Sequence, residues 1–426
     1  MTVDKKRVKI KVALDSLGCK LNQAEIELLA RQFAEAGYQV VSADDDADVY
    51  ILNTCTVTHI ADSKSRHRLR TARRHNPDVL VVATGCYAQR APQELSQIEG
   101  VSVVVGNEEK PNLLRLLEEA GYPSTPTSQD STGDHGLGFR TRAMVKIEDG
   151  CDNFCAYCIV PLVRGREKSL PVEEVVAEVR HRVAQGYREV VLTGVEIGSY
   201  NYDGVGLKGL VECVLGETDV ERLRLSSLQP SEILPEFIGL WRNPRLCPHF
   251  HLSLQSGSDG VLTRMKRRYS LADYEQAVSV IRGGVADAAI TTDLMVGFPG
   301  ESEAEFEESF SFCRRMGFAR MHVFSFSPRD GTEAARMPQQ VGDRVKKERS
   351  ERMLALAVDS ARRFHQRFLG QKLAVLFEQQ CDGIWSGYTG NYIRVYAESR
   401  EDLTNKLLPV KLVEIYGDGV WGECRS

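Results

Sequence analysis

The chain has no apolar run approaching the roughly 18 residues that a bilayer-spanning helix needs, and its opening residues, MTVDKKRVKIKVALDSLG, carry no signal-peptide core. No membrane is expected, and the expected compartment is cytoplasmic. A disulfide framework is lacking too. Eleven cysteines is an odd count, and a cytosolic chain keeps its thiols reduced, so metal or redox use is favoured. No charge of one sign dominates either: the formal net charge of -5 argues against a uniformly basic nucleic-acid coat. With 42% hydrophobic and 27% charged residues, the composition is that of an ordinary globular protein, and 426 residues allow about three domains.

What is present is a dense cysteine motif. Cys151, Cys155 and Cys158 lie in GCDNFCAYCIVP, a Cys-x3-Cys-x2-Cys spacing. A zinc knuckle would want a second Cys-x2-Cys pair or a His-x3-His, and neither follows. Iron-sulfur cubanes normally take four cysteines, so a centre with three is either completed from elsewhere or keeps one iron open to a ligand. The spacing, with Tyr157 just before the third cysteine, resembles that of the radical S-adenosylmethionine enzymes. The resemblance implies a 4Fe-4S cluster on Cys151, Cys155 and Cys158, whose open iron chelates S-adenosyl-L-methionine and splits it to a 5'-deoxyadenosyl radical. The electron would come from a donor such as flavodoxin or ferredoxin.

The fold expected is α/β in three parts. Residues 1–120 alternate short apolar runs (VKIKVALDS, GYQVVS, ADVYILN, DVLVVATG, VSVVVGN) with helical patterns near 21–36, 56–75 and 111–120, which predicts an open parallel sheet. Residues 121–139, rich in Pro, Gly, Ser and Thr, read as a linker. Within a domain at 140–365, residues 140–330 run as six βα units, with strands at RAMVKIE, REVVLTG, ERLRLSS, HFHLSLQ, AAITTDLMVG and RMHVFSFS, and resemble the partial TIM-like (βα)6 barrel of radical S-adenosylmethionine enzymes. Residues 366–426 alternate in period two between Gly-rich turns, the pattern of a small all-β barrel.

Cys19, Cys55 and Cys86 each follow one of the first-domain strands, in SLGCKLN, NTCTV and TGCYAQ. In an open parallel sheet the strand carboxyl ends share one edge, so these three can converge. The strings resemble the N-terminal domain of the methylthiotransferases, which implies a second 4Fe-4S cluster on Cys19, Cys55 and Cys86. The last segment resembles the OB-like TRAM domain, an RNA-binding module. Its seven Lys/Arg against eight Asp/Glu leave RNA contact to stacking by residues such as Tyr388, Tyr392 or Tyr396.

Candidate cofactor contacts follow the barrel strands. TGVEIGSY offers Gly194 and Gly198 for close backbone approach and Glu196 as a carboxylate for an ammonium or ribose hydroxyl. Ser253 and Gln255 in HLSLQSGS and Asp293 in ITTDLMVG place polar groups where a closed barrel prefers Val or Leu, which implies a ligand unless Asp293 pairs with an interior cation. Arginines in RGREKS and MKRRY stand near the same mouth and fit a carboxylate or phosphate. Two basic runs favour a polyanionic substrate: His59 to His75 has six Lys/Arg against one Asp, and Asp343 to Arg367 has eight against four Asp/Glu. The remaining Cys213, Cys247, Cys313, Cys381 and Cys424 read as small buried residues.

Within the methylthiotransferases the finer resemblance, on GCDNFCAYCIVP and TGVEIGSY, is to the branch that modifies N6-threonylcarbamoyladenosine at tRNA position 37. It implies methylthiolation of carbon 2 of that adenine, with the tRNA anticodon loop as partner. Leu170 after GREKS departs from the Arg expected there. Alternatives are the isopentenyladenosine branch, a ribosomal-protein side chain as substrate, and a non-enzymatic RNA-binding iron-sulfur protein. The last predicts two four-cysteine sites rather than three plus three.

Overall fold

A computed structural model describes residues 9–124 and 141–424, which form two compact units. From residue 125 on, the expected linker lies outside the described residues. In the first unit, β1 (Lys11–Ser16), β2 (Gln39–Val41), β3 (Val49–Thr54), β4 (Leu80–Gly85) and β5 (Val101–Val105) make a parallel sheet of order β2-β1-β3-β4-β5. Its strands are apolar runs because both faces are covered. Val12, Leu14, Ile51 and Val82 pack with Ile26, Phe33 and Leu117 on one side, and Ala13, Tyr50, Leu52 and Val81 pack with Leu69, Tyr87 and Leu95 on the other. Each fully buried Val or Leu contributes about 1.5–3 kcal/mol to holding these layers together. Helices cover Lys20–Glu35, His59–His75 and Leu113–Glu119. Two more, Cys86–Arg90 and Pro92–Ser96, have five residues each, too few for a helical period to show in sequence.

The same unit includes Ile159–Arg166, where Ile159, which caps the helix Val160–Arg164, and Val163 within it pack on Cys86. In the second unit all six expected barrel strands are present: β6 (Arg142–Lys146), β7 (Glu189–Thr193), β8 (Arg222–Leu225), β9 (His249–Leu252), β10 (Ala289–Val296) and β11 (Arg320–Ser325). They pair in parallel as β8-β7-β6 and β9-β10-β11, joined by a bridge between Leu223 and Leu246. β6 and β11 are left as free edges of a partial barrel. Outward residues such as Val190, Leu223, Phe250 and Leu294 pack beneath the helices, while the alternate positions line the interior.

Five further strands, β12 (Lys372–Cys381), β13 (Ile384–Thr389), β14 (Arg394–Glu398), β15 (Leu407–Tyr416) and β16 (Gly419–Glu423), close a small barrel of order β12-β13-β14-β16-β15. The turn between β13 and β14 carries Tyr392 at φ +66°, a left-handed backbone that a bulky residue adopts only under constraint. The constraint is the floor of the larger barrel. Tyr392 stacks on His249 at 4.7 Å between ring centres and lies under the Arg224 guanidinium at 4.8 Å, while Arg142 covers Tyr388 at 5.0 Å and pairs with Glu378 at 2.6 Å. Behind them Glu189 bonds Arg224 (2.7 Å) and Arg222 (2.8 Å); burial opposes its charge, but the two arginines hold its carboxyl down at about 2.

Candidate functional site

The strand-edge cysteines owe their meeting to register. Ser16 pairs with Asn53 and Thr54 with Gly85, so the residues after β1, β3 and β4 leave one sheet edge side by side. Cys19 caps the helix Lys20–Glu35, Cys55 follows Thr54 directly, and Cys86 opens its short helix. Two glycines make this possible. A Cβ on Gly18 would sit 2.8 Å from the Cys55 sulfur, and one on Gly85, at φ +98°, would press within 2.6 Å of the Thr54 carbonyl. Beneath the thiols runs a buried polar network that the sequence reading missed. Glu25 pairs with Lys110 at 2.6 Å and Arg164 at 2.8 Å, Arg164 also donates to Asn22 at 2.6 Å, and Asn53 donates to Glu25 at 3.1 Å. Asn107 donates to the Cys86 sulfur at 3.7 Å, and burial pushes the Cys55 thiol up to about 12. The faint signal for the network was an amide two or three positions from a cysteine, in CKLN and LNTC.

In the second unit Cys151, Cys155 and Cys158 sit on the loop after the two-residue strand Glu148–Asp149. A ring of hydrogen bonds fixes it. Asn153 donates its backbone N–H to the Cys151 sulfur (3.4 Å) and its amide to Glu196 (3.3 Å); Gln229 donates to Glu196 (2.9 Å) and accepts from Arg267, which donates to the Cys155 sulfur at 3.2 Å. Tyr157 packs edge-on to Phe298 beside Met295 and Phe326. Among the described residues no three His, Cys, Asp or Glu side chains converge as the ligands of one metal ion. A cubane requires something looser, since each thiolate binds its own iron, and three cysteines per site suit that chemistry.

The pocket residues divide into two groups. Gln255 is buried at φ +65°, and its Oε1, like Oε1 of Glu196, has no hydrogen-bond partner. Two orphaned acceptors in one region fit a ligand rich in donors, as the ammonium and ribose hydroxyls of S-adenosylmethionine are. Ser253 is buried beside them, and its carbonyl accepts from Tyr269. The glycines of TGVEIGSY make room for the protein itself rather than for a cofactor: Glu148 fills the space at Gly194 and accepts from the N–H groups of Val195 (2.8 Å) and Glu196 (2.9 Å), and Glu232 fills the space at Gly198. Burial raises all three carboxyls, Glu148 to about 8 and Glu232 to about 9. Among the described residues Asp293 pairs with no Lys or Arg. His251 and His322 each lie 3.2 Å from one of its oxygens.

Other expectations are corrected. Arg164 of RGREKS belongs to the Glu25 network, whereas Arg267 of MKRRY stands at the cysteine loop. Tyr388 and Tyr392, both half-buried, stack on each other under Arg142 and Arg224 at the barrel floor. Tyr396 lies with Tyr416 and Trp421 in an aromatic group whose Tyr416 is exposed. In the second basic run every cation except Arg362 and Arg367 pairs with a carboxylate, which removes most of its field. The first run spends Arg66 on Glu94 and Arg68 on Asp15, leaving Lys64, Arg70 and Arg74 exposed. Leu170 packs against the core beneath the helices, an apolar setting that explains the absence of an arginine there. Cys381 is exposed rather than buried.

Residues 11–106 match a family described as Uncharacterized protein family UPF0004, and residues 145–313 match the Radical SAM superfamily. The chain is 37% identical over 422 residues to the threonylcarbamoyladenosine tRNA methylthiotransferase MtaB of Bacillus subtilis, covering 95% of this chain and 94% of that protein. It is 38% identical to the MtaB of Thermotoga maritima, covering 90% of each. A tRNA-2-methylthio-N(6)-dimethylallyladenosine synthase from Moorella thermoacetica is 34% identical, with 93% and 94% covered. Among solved structures, the radical S-adenosylmethionine methyltransferase TsrM from Kitasatospora setae superposes with a TM-score of 0.57 at 18% identity, over 77% of each chain, a likeness of fold. This chain therefore belongs to the family of radical S-adenosylmethionine tRNA methylthiotransferases, in the threonylcarbamoyladenosine branch.

Proposed function

We propose that this protein adds a methylthio group to carbon 2 of N6-threonylcarbamoyladenosine at position 37 of tRNA. The observation that carries the reading is the pairing, within one chain alike to the MtaB proteins over nearly its whole length, of two separate three-cysteine sets. Cys151, Cys155 and Cys158 would hold one 4Fe-4S cluster and Cys19, Cys55 and Cys86 the other. When bound, these clusters and S-adenosylmethionine supply a 5'-deoxyadenosyl radical, a sulfur and a methyl group. The chain's own residues do the rest. Arg267 and Asn153 hold the loop thiols by hydrogen bonds, Glu196 and Gln255 offer acceptors to the cofactor's ammonium and hydroxyls, and Tyr157, Met295 and Phe298 exclude water beside the loop. Exposed Lys64, Arg70 and Arg74, together with Tyr396 and Tyr416, are the groups suited to phosphate and base contacts, and the target adenine must leave its stack to be reached.

Among the described residues no helix is long and apolar enough to cross a membrane, and a cytoplasmic site of action with a flavodoxin or ferredoxin as electron donor completes the reading. The likeness to dimethylallyladenosine synthases supports a second substrate, the N6-isopentenyl base. Mass spectrometry of tRNA nucleosides from a strain lacking this gene decides between them. Loss of the methylthio form of threonylcarbamoyladenosine, with its precursor accumulating, is the expected result; loss of the isopentenyl product instead would transfer the assignment to that branch.

A further inference from the structure

Arg320, His322 and Phe324 occupy alternate positions of β11, so their side chains share one face of a strand that, among the described residues, pairs with another strand on one side only. Arg320 has no ion-pair partner among the described residues, and the His322 side chain keeps 74% of its surface although it is tied to the barrel interior. The tie is a relay across three strands. Thr291 Oγ1 lies 3.0 Å from His251 Nδ1, His251 Nε2 lies 3.2 Å from one oxygen of Asp293, and the other oxygen lies 3.2 Å from His322 Nδ1. One ring nitrogen of His322 is thereby fixed, and Nε2 is left for a partner from outside. The hydrogen bond that His322 donates to Asp293 raises this histidine's proton affinity, with burial and the Arg320 charge opposing; the facing ionisable groups are Asp293 and His251 on the neighbouring strands and Arg320 on its own. If Asp293 is counted against His322, Arg320 leaves one net positive charge at the edge. Phe324 packs against the cluster of Met295, Phe298 and Phe326 on which Tyr157 also packs, so the aromatic end of the stripe lies toward the cysteine loop and the cationic end away from it.

We infer that Arg320 and His322 receive an anionic group on the substrate base, the carboxylate of the N6-threonylcarbamoyl substituent, while Phe324 flanks the adenine. The inference rests on the function proposed above and gives the choice between substrate bases a physical cause. Residues two apart on a strand stand about 7 Å apart, a separation on the scale of a purine and its N6 substituent. One net positive charge with two donors gives a carboxylate charge-assisted hydrogen bonds and gives an isopentenyl group nothing but a desolvation cost.

The test is binding of the reconstituted full-length protein, wild type and the variants His322→Ala, Arg320→Ala and His322→Lys, to two forms of one tRNA. One form carries threonylcarbamoyladenosine at position 37, the other unmodified adenosine. Wild type is expected to prefer the modified form, and each alanine variant to lose about tenfold of that preference while His322→Lys retains it. Equal loss toward both tRNAs would make the stripe a phosphate contact, and an undiminished preference would make it a bystander; either result overturns the inference. A fall in S-adenosylmethionine affinity in the alanine variants would mean that the cofactor's carboxylate is the anion, and also overturns it. Should wild type itself show no preference for the modified tRNA, the proposed substrate falls, and this role falls with it.

Discussion

The two cysteine triads solve one problem in opposite ways. Cys151, Cys155 and Cys158 are gathered by eight residues of chain, and hydrogen bonds from Asn153 and Arg267 orient their sulfurs. Cys19, Cys55 and Cys86 are gathered by three strands, and without the registers of β1, β3 and β4 nothing brings them together. The first triad is a property of a loop and the second of a folded sheet. A loop triad depends on local shape, and a strand triad depends on the sheet being formed.

Removing each triad separately tests this division and should give the largest effects. Replacing Cys151, Cys155 and Cys158 by Ala is expected to remove about half of some eight irons and to abolish S-adenosylmethionine cleavage. Cleavage retained in that variant would sink the assignment. Replacing Cys19, Cys55 and Cys86 by Ala should also remove about half the iron but leave reductive cleavage running, with no methylthio product. If both activities disappear in a folded protein, the two triads serve one shared centre and the comparison fails.

The surroundings differ as much as the scaffolds, and pH should expose the difference. Near the strand triad Glu25 is held between Lys110 and Arg164. Near the loop triad Glu148 is buried with one oxygen unpartnered, and burial raises its carboxyl to about 8. A carboxyl raised on folding contributes stability that is fully present below its unfolded pKa and is lost as pH climbs through the folded value. Stability of the cluster-free protein should therefore fall between about pH 4.5 and 8 by up to a few kcal/mol. Glu148→Gln keeps an acceptor for the N–H groups of Val195 and Glu196 and should make this fall shallower, while Glu232 and Glu196, raised in the same way, maintain part of it. Thermal unfolding across pH measures the slope, and an unchanged slope in the variant would show that Glu148 is charged throughout.

The loop triad could be read from its spacing because a local motif needs no fold to be recognised. The six barrel strands and the five of the first sheet were legible too, since runs such as VYILN and VVLTG bury both faces. Three features escaped for a common reason: they depend on what another part of the chain places opposite. Gly194 reads as a cofactor glycine until Glu148 is seen to fill its space. Tyr392 reads as an RNA-stacking ring until the left-handed turn carries it under Arg224. The run from Asp343 to Arg367 reads as a basic patch until Glu303 and Glu307 of another helix, and Glu301 just before it, neutralise it. Composition records the cations but not the partners they meet.

Each triad has one arginine beside it, and these two residues give the finest test of the contrast. Arg164 bonds Glu25 and Asn22, and its charge opposes the burial that raises the Cys19 thiol. Arg267 donates to the Cys155 sulfur at 3.2 Å, and its other bonds go to Gln229 and the Tyr269 hydroxyl, neither of which is an anion. A cation bonded to a thiolate sulfur favours the reduced, more negative cluster and so raises its potential. Removing one charge-assisted hydrogen bond worth about 1.5 kcal/mol from a one-electron couple corresponds to a fall of roughly 60 mV. Arg267→Gln should lower the potential of the loop cluster by about that much. Arg164→Lys, which keeps the charge beside Glu25, should leave the strand cluster within a fraction of it. Electron paramagnetic resonance titration of each triad's Ala variant, where one cluster is observed alone, reads the two values. A shift in Arg164→Lys, where the charge is kept, as large as that in Arg267→Gln, where it is lost, would mean that the arginines act through the fold and not by their charge, and the electrostatic account of both sites would have to be given up.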